Sequence, residues 1–75
     1  MIVLEKDTRY YKIDCVNTLF EDFRVERIYG RKANKTPTGI VIKNFDTQAE
    51  AQNHIAQILN LKTKRGYSLL SQASI

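Results

Sequence analysis

The sequence predicts a small α+β domain, a small antiparallel β-sheet of about four strands with one α-helix packed across one face. Three observations predict it. Residues 9–16 alternate in side-chain character with the period of a half-buried strand, and residues 47–62 combine a helix start signal with an apolar stripe at helical spacing. The third is size: 75 residues make one domain, 1–75, and a chain that short buries only about 60% of its unfolded surface. One thin core fits, and a helix laid across one sheet face builds it with the other face left in water.

Taken in order, Ile2-Val3-Leu4 reads as a short first strand running into the polar turn Glu5-Lys6-Asp7. In the next run Tyr11, Ile13 and Cys15 point one way and Tyr10, Lys12 and Asp14 the other. Residues 17–22 connect it onward, with Leu19 and Phe20 expected to fold back onto the core edge. Residues 23–31 are rich in strand formers. Phe23, Val25, Arg27, Tyr29 and Arg31 share one face and Arg24, Glu26, Ile28 and Gly30 the other. Neither face is cleanly apolar, so the direction of Tyr29 stays open. An interior strand glycine such as Gly30 often marks a bulge or a close backbone approach, and a bulge or twist there would re-aim Tyr29 or Ile28.

Residues 32–39 form a loop by composition, with Asn34, Pro37 and Gly39 as turn residues, and it joins two neighbouring antiparallel strands, the second over 40–45. Thr47-Gln48-Ala49-Glu50 is a capping box, in which the Thr47 hydroxyl accepts from the Glu50 amide and the Glu50 side chain reaches back. Ala51, Ile55, Ile58, Leu59 and Lys62 then recur on one helical stripe, which predicts the face that lies on the sheet. Lys62 can continue that stripe with its methylene stem while its ammonium escapes or pairs. Gly66 suits the residue after the helix cap, and Lys64 and Arg65 suit the negative helix end. Tyr67 and the leucines after it are expected to close the core, with 71–75 as a loose tail.

Composition excludes several functions. Twelve Lys and Arg stand against eight Asp and Glu, a net +4, which mildly favours an anionic partner. Residues 24–35 hold five cations, Arg24, Arg27, Arg31, Lys32 and Lys35, against Glu26 alone, so the whole net charge sits in that window. One cysteine, Cys15, makes no internal disulfide and fits a reducing cytoplasm, the expected location. The longest apolar run, 1–4, is too short for a membrane span. One Cys and one His, Cys15 and His54, lack any ligand-like spacing, so neither metal nor cofactor is expected. As a nucleophile pair they are disfavoured, because Cys15 falls on the core face and His54 beside the stripe. No Gly-rich phosphate loop occurs. The chain is therefore read as no enzyme.

What remains is the run Arg27-Ile28-Tyr29-Gly30-Arg31-Lys32. An aromatic ring gives a face to a ribose or base, at roughly 1 to 3 kcal/mol per stacked base. Arg31 offers a planar fork for phosphate, Lys32 and Lys35 add point charges, Arg27 supports them, and Gly30 lets a backbone come close. The same residues also suit a plain structural role, in which the cations guard a sheet edge against pairing.

The order Tyr10-Tyr11-Lys12-Ile13, then Arg27-Ile28-Tyr29-Gly30-Arg31, then Phe45-Asp46-Thr47 with Ala51, then Lys62-Thr63-Lys64-Arg65-Gly66-Tyr67 resembles the WGR domain, over roughly residues 9–67. The resemblance implies an antiparallel sheet with one helix across a face. In poly(ADP-ribose) polymerases such a domain helps to hold damaged DNA ends and relays that contact to a catalytic domain. By position, the signature tryptophan, which packs on nucleic acid near a strand end, would pass to Tyr29, the glycine to Gly30 and the arginine to Arg31. Tyr29 departs from the family's tryptophan, and Lys32-Ala33 from the apolar residue and glycine that usually follow. The expected function is a non-catalytic nucleic-acid-binding module acting through Tyr29, Gly30, Arg31, Lys32, Arg27 and Lys35, on DNA strand ends or breaks in preference to RNA. The alternative is a protein-interaction or adaptor module, with the aromatic and the arginine as its hot spot.

Overall fold

Alternating strands and the turns between them produce a single antiparallel sheet backed by one helix. The computed structural model describes residues 1–20 and 22–72. Its elements are β1 (Ile2–Lys6), β2 (Arg9–Asn17), β3 (Phe23–Arg31), β4 (Gly39–Phe45), α1 (Gln48–Lys64) and β5 (Ser68–Gln72). The strands lie in the order β4-β3-β2-β1-β5, each antiparallel to its neighbours.

The fifth strand is the main addition to the predicted plan of about four. Ser71 and Gln72, expected in a loose tail, pair with Val3 and Ile2; residues 73–75 of that tail lie outside the described residues. Pairing β5 on β1 satisfies main-chain groups that a free edge would leave to water. Every residue of β5 is exposed, so Leu69 and Leu70 do not close the core. Only Tyr67, just before the strand, packs against it.

One sheet face carries Ile2, Leu4, Tyr11, Ile13 and Val25, and α1 covers it with Ala51, Ile55 and Ile58; all eight are buried. The three helix residues are members of the predicted stripe, and Leu59 packs beside them half-buried. Burying each large aliphatic contributes roughly 1.5 to 3 kcal/mol. At the helix start Thr47 is extended and its Oγ1 accepts from the Glu50 amide at 3.2 Å. Among the described residues the return bond from the Glu50 side chain is not made, so half of the capping box forms. At the far end the Tyr67 amide donates to Lys62 O at 3.0 Å and the Gly66 amide to Thr63 O at 3.1 Å. This is the Schellman pairing, and Gly66 supplies its left-handed residue with φ +98°.

The alternative left open at Gly30 is decided, and the expectation for Leu19 and Phe20 is corrected. The β2–β3 register runs unbroken from Asn17↔Phe23 to Arg9↔Arg31, so Gly30 sits in a regular ladder and forms no bulge. The register shift falls instead between Val3 and Leu4, where β1 meets β5. Leu19 and Phe20 do not fold back either: they are 98% and 91% exposed. The turn that carries them is tied by Thr18 N donating to Asp22 O at 2.9 Å and by a Thr18 Oγ1–Asp22 Oδ1 bond, and Leu19 and Phe20 stand away from the sheet.

Candidate nucleic-acid interface

The register sets the functional side chains in rows across the sheet. Tyr11 on β2 stands opposite Tyr29 on β3, and Tyr29 stands opposite Gly39 on β4. One step toward the strand ends, Lys6, Arg9 and Arg31 form a second row over β1, β2 and β3. Side chains two residues apart share a face, so the cation row borders the aromatic row on the helix side of the sheet.

Tyr29 is thereby placed. Its ring stacks on Tyr11 with centroids 5.6 Å apart and planes 9° from parallel, and Tyr67 meets Tyr11 edge-on at 6.2 Å and 71°. The Schellman turn at Gly66 brings Tyr67 back to this point. Tyr29 remains half-buried, and it lines a cleft of about 260 Å³ with Arg9, Tyr10, Gly30, Arg31, Thr38 and Tyr67. Gly30 has a packing reason to lack a side chain: a Cβ there would lie 3.0 Å from Tyr10 Oη and 3.0 Å from the Thr38 amide nitrogen.

Arg9 and Arg31 are both exposed and directly opposite each other. Neither side chain makes an ion pair or hydrogen bond among the described residues. Like charges facing each other across a ladder are unfavourable until an anion joins them. Lys6, the third of the row, donates its ammonium to Arg65 O at 2.6 Å at the end of α1. A two-residue turn joins Lys6 to Arg9, with Asp7 in the left-handed region at φ +53°.

The remaining sequence candidates separate. Arg27 lies in the β3 face beneath the helix, and its Nη1 donates to Tyr11 Oη at 3.3 Å; it holds the aromatic row and does not line the cleft. Lys32 pairs with Glu5 Oε2 at 2.7 Å, and its amide donates to Thr8 O at 2.8 Å, which pins the start of the loop. Lys35 is exposed further along that loop. Tyr29, Gly30 and Arg31 are brought together; Arg27, Lys32 and Lys35 stand around them. Sequence reasoning missed Arg9, Lys6 and Tyr67 as members of the site. Arg9 opens a clearly patterned strand, but only the register sets it against Arg31.

Lys62 completes the cluster from the helix. Its Nζ lies 4.5 Å from the Tyr11 centroid and 5.6 Å from that of Tyr67, a cation–π placement that resolves how a lysine sits in the core stripe. Burial lowers its pKa, with Arg65 and Arg27 adding to the effect. A second hollow, of about 500 Å³, lies beside Leu19 and Phe20, but its one lining cation, Arg24, is paired with Glu26 at 3.2 Å. Among the described residues no His, Cys, Asp and Glu cluster could hold a metal, and no helix is long and apolar enough to cross a membrane. Cys15 is half-buried, its thiol pKa raised by burial and then by Asp14.

Comparison with curated proteins and with solved structures gave no match. The family model for the WGR domain matches residues 3–74, from the first strand past the last. The aromatic, the glycine and the arginine at 29–31 close the third strand of a helix-backed sheet, and with a match over nearly its whole length the chain belongs to the WGR domain family, known for nucleic-acid-binding modules.

Proposed function

We propose that this domain is a non-catalytic nucleic-acid-binding module whose preferred ligand is DNA at a strand end or break. The observation that carries the reading is the exposed Arg9–Arg31 pair, set face to face beside the half-buried ring of Tyr29. A phosphate between the two guanidiniums turns a repulsive pair into two charge-assisted contacts. The adjoining sugar or base then meets Tyr29 and Tyr67, and Gly30 lets Tyr10 and the Thr38 backbone close up to form the cleft wall. Lys35 adds a charge from the loop, Lys32 can exchange Glu5 for phosphate, and Arg27 keeps Tyr11 and hence Tyr29 in place. A cleft of about 260 Å³ suits one nucleotide better than a duplex groove, which supports an end or a break as the ligand.

Fluorescence anisotropy with nicked or 5′-phosphorylated DNA over a salt series tests this. With about three phosphates contacted, log affinity should fall with log salt at a slope near −3. Tyr29→Ala and Arg31→Ala should each weaken binding, and an RNA strand of the same sequence should compete less well. Absence of binding at low salt, or undiminished binding by Arg31→Ala, would sink the reading.

A further inference from the structure

The two edges of the sheet are protected unequally. β5 is five residues long and its pairing is interrupted by a register shift, a feature that discourages further strand addition. β4 is seven residues long, pairs with β3 without interruption, and contains no proline. Among the described residues no strand lies beside its outer main-chain groups, since β4 ends the sheet. On the face away from α1 it displays Ile40 and Ile42, 59% and 55% exposed, beside Ile28. Its only charged side chain, Lys43, lies on the other face, with Nζ 5.4 Å from the Phe45 centroid.

We propose that β4 is a dimer edge, pairing antiparallel with β4 of a second copy about a twofold axis at Ile42. The strand is self-complementary in that register. Ile42 meets Ile42, Ile40 meets Asn44, and Lys43 meets Val41, so no like charges are opposed. The flanks are complementary too. β4 is preceded by the basic loop with Lys32 and Lys35 and followed by Asp46 and Glu50 at the start of α1. Antiparallel pairing sets the acidic flank of each copy beside the basic loop of the other. A single unguarded edge gives a closed pair, whereas two would give a filament. The pairing shares only the loop next to β4, with Lys32 and Lys35, with the nucleic-acid site, and substitutions at Ile42 leave Tyr29, Arg9 and Arg31 in place, so failure of the dimer is read apart from failure of nucleic-acid binding.

Sedimentation equilibrium over a concentration series tests it. The wild-type mass should move from 8.7 kDa toward twice that value with rising concentration. Ile42→Lys, which sets two ammonium groups face to face, should remain at 8.7 kDa, as should Ile42→Glu. An equimolar mixture of the two variants should recover the dimer, because Lys then meets Glu at the axis. Unchanged melting temperatures of both variants would show that they fold. A wild-type mass that stays monomeric up to about 1 mM, dimerisation of Ile42→Lys at the wild-type concentration, or failure of the mixture to recover the dimer would each overturn the proposal.

Discussion

The ring of Tyr29 lies over Gly39, its partner across the β3–β4 ladder, and the missing side chain is what makes room for it. A Cβ at Gly39 would fall inside contact distance of Tyr29 Oη and Cζ and 3.0 Å from Cε2. Gly39→Ala should therefore displace the ring and cost about 1 to 3 kcal/mol, the range for overpacking. Chemical denaturation measures the cost. Nucleic-acid affinity should fall as well, although every cation of the site is retained. A variant with wild-type stability and affinity would show that the ring can leave Gly39 freely.

The Arg9–Arg31 pair gives a prediction of opposite signs. Removing one guanidinium relieves a like-charge opposition, so Arg9→Ala should leave stability unchanged or raise it by at most about 1 kcal/mol. The same change should weaken binding and reduce the magnitude of the salt slope by about 1. Thermal melts and a salt titration on one variant separate the two effects. Loss of stability together with affinity would mean that Arg9 holds the fold.

At the helix start, Thr47 Oγ1 supplies the one cap bond seen, to the Glu50 amide. Thr47→Ala should cost about 1 kcal/mol. Glu50→Gln should cost much less, since the Glu50 side chain makes no return bond among the described residues. Urea midpoints compare them, and equal losses would argue that the full capping box forms in solution.

Much of this fold was legible because its signals are local. The Thr47 cap, the stripe from Ala51 to Leu59 and the Gly66 reversal depend on residues within a few positions, and each stands as read. Leu19 and Phe20 were misread because their exposure depends on the Thr18–Asp22 tie, a pairing that apolarity alone does not reveal. β5 was missed for a related reason. Ser68–Gln72 lacks a two-residue alternation and is a strand because β1 offers it an edge. The candidate site divides the same way. Tyr29, Gly30 and Arg31 are adjacent in sequence and were found, whereas Arg9 joins Arg31 only through the register of two strands.

If the Thr18–Asp22 tie alone orients that turn, Leu19 and Phe20 contribute little to the fold. The double substitution Leu19→Ser, Phe20→Ser should then shift stability by no more than about 0.5 kcal/mol, as for surface positions. Thr18→Ala in the same turn should cost more. A large loss from the serine variant would mean that the two side chains do reach the core in solution.

His54 links the helix to pH. It packs on Phe45 with ring centroids 5.0 Å apart, and its Nε2 is buried without a hydrogen-bond partner among the described residues. Burial lowers its pKa, and the charges of Arg27 and Lys43 lower it further. The folded state thus holds the neutral ring, whereas the unfolded chain takes up a proton near pH 6.5. Because the unfolded state binds more protons in that range, stability rises with pH there. The contribution is complete above about pH 6.5 and is lost as pH falls through the lower folded value. His54 is the chain's single histidine. Urea midpoints measured from about pH 7 down to about pH 5 should fall for the wild type. His54→Leu, which keeps the packing on Phe45 and removes the titration, should flatten that slope; an unchanged slope would place the pH response elsewhere.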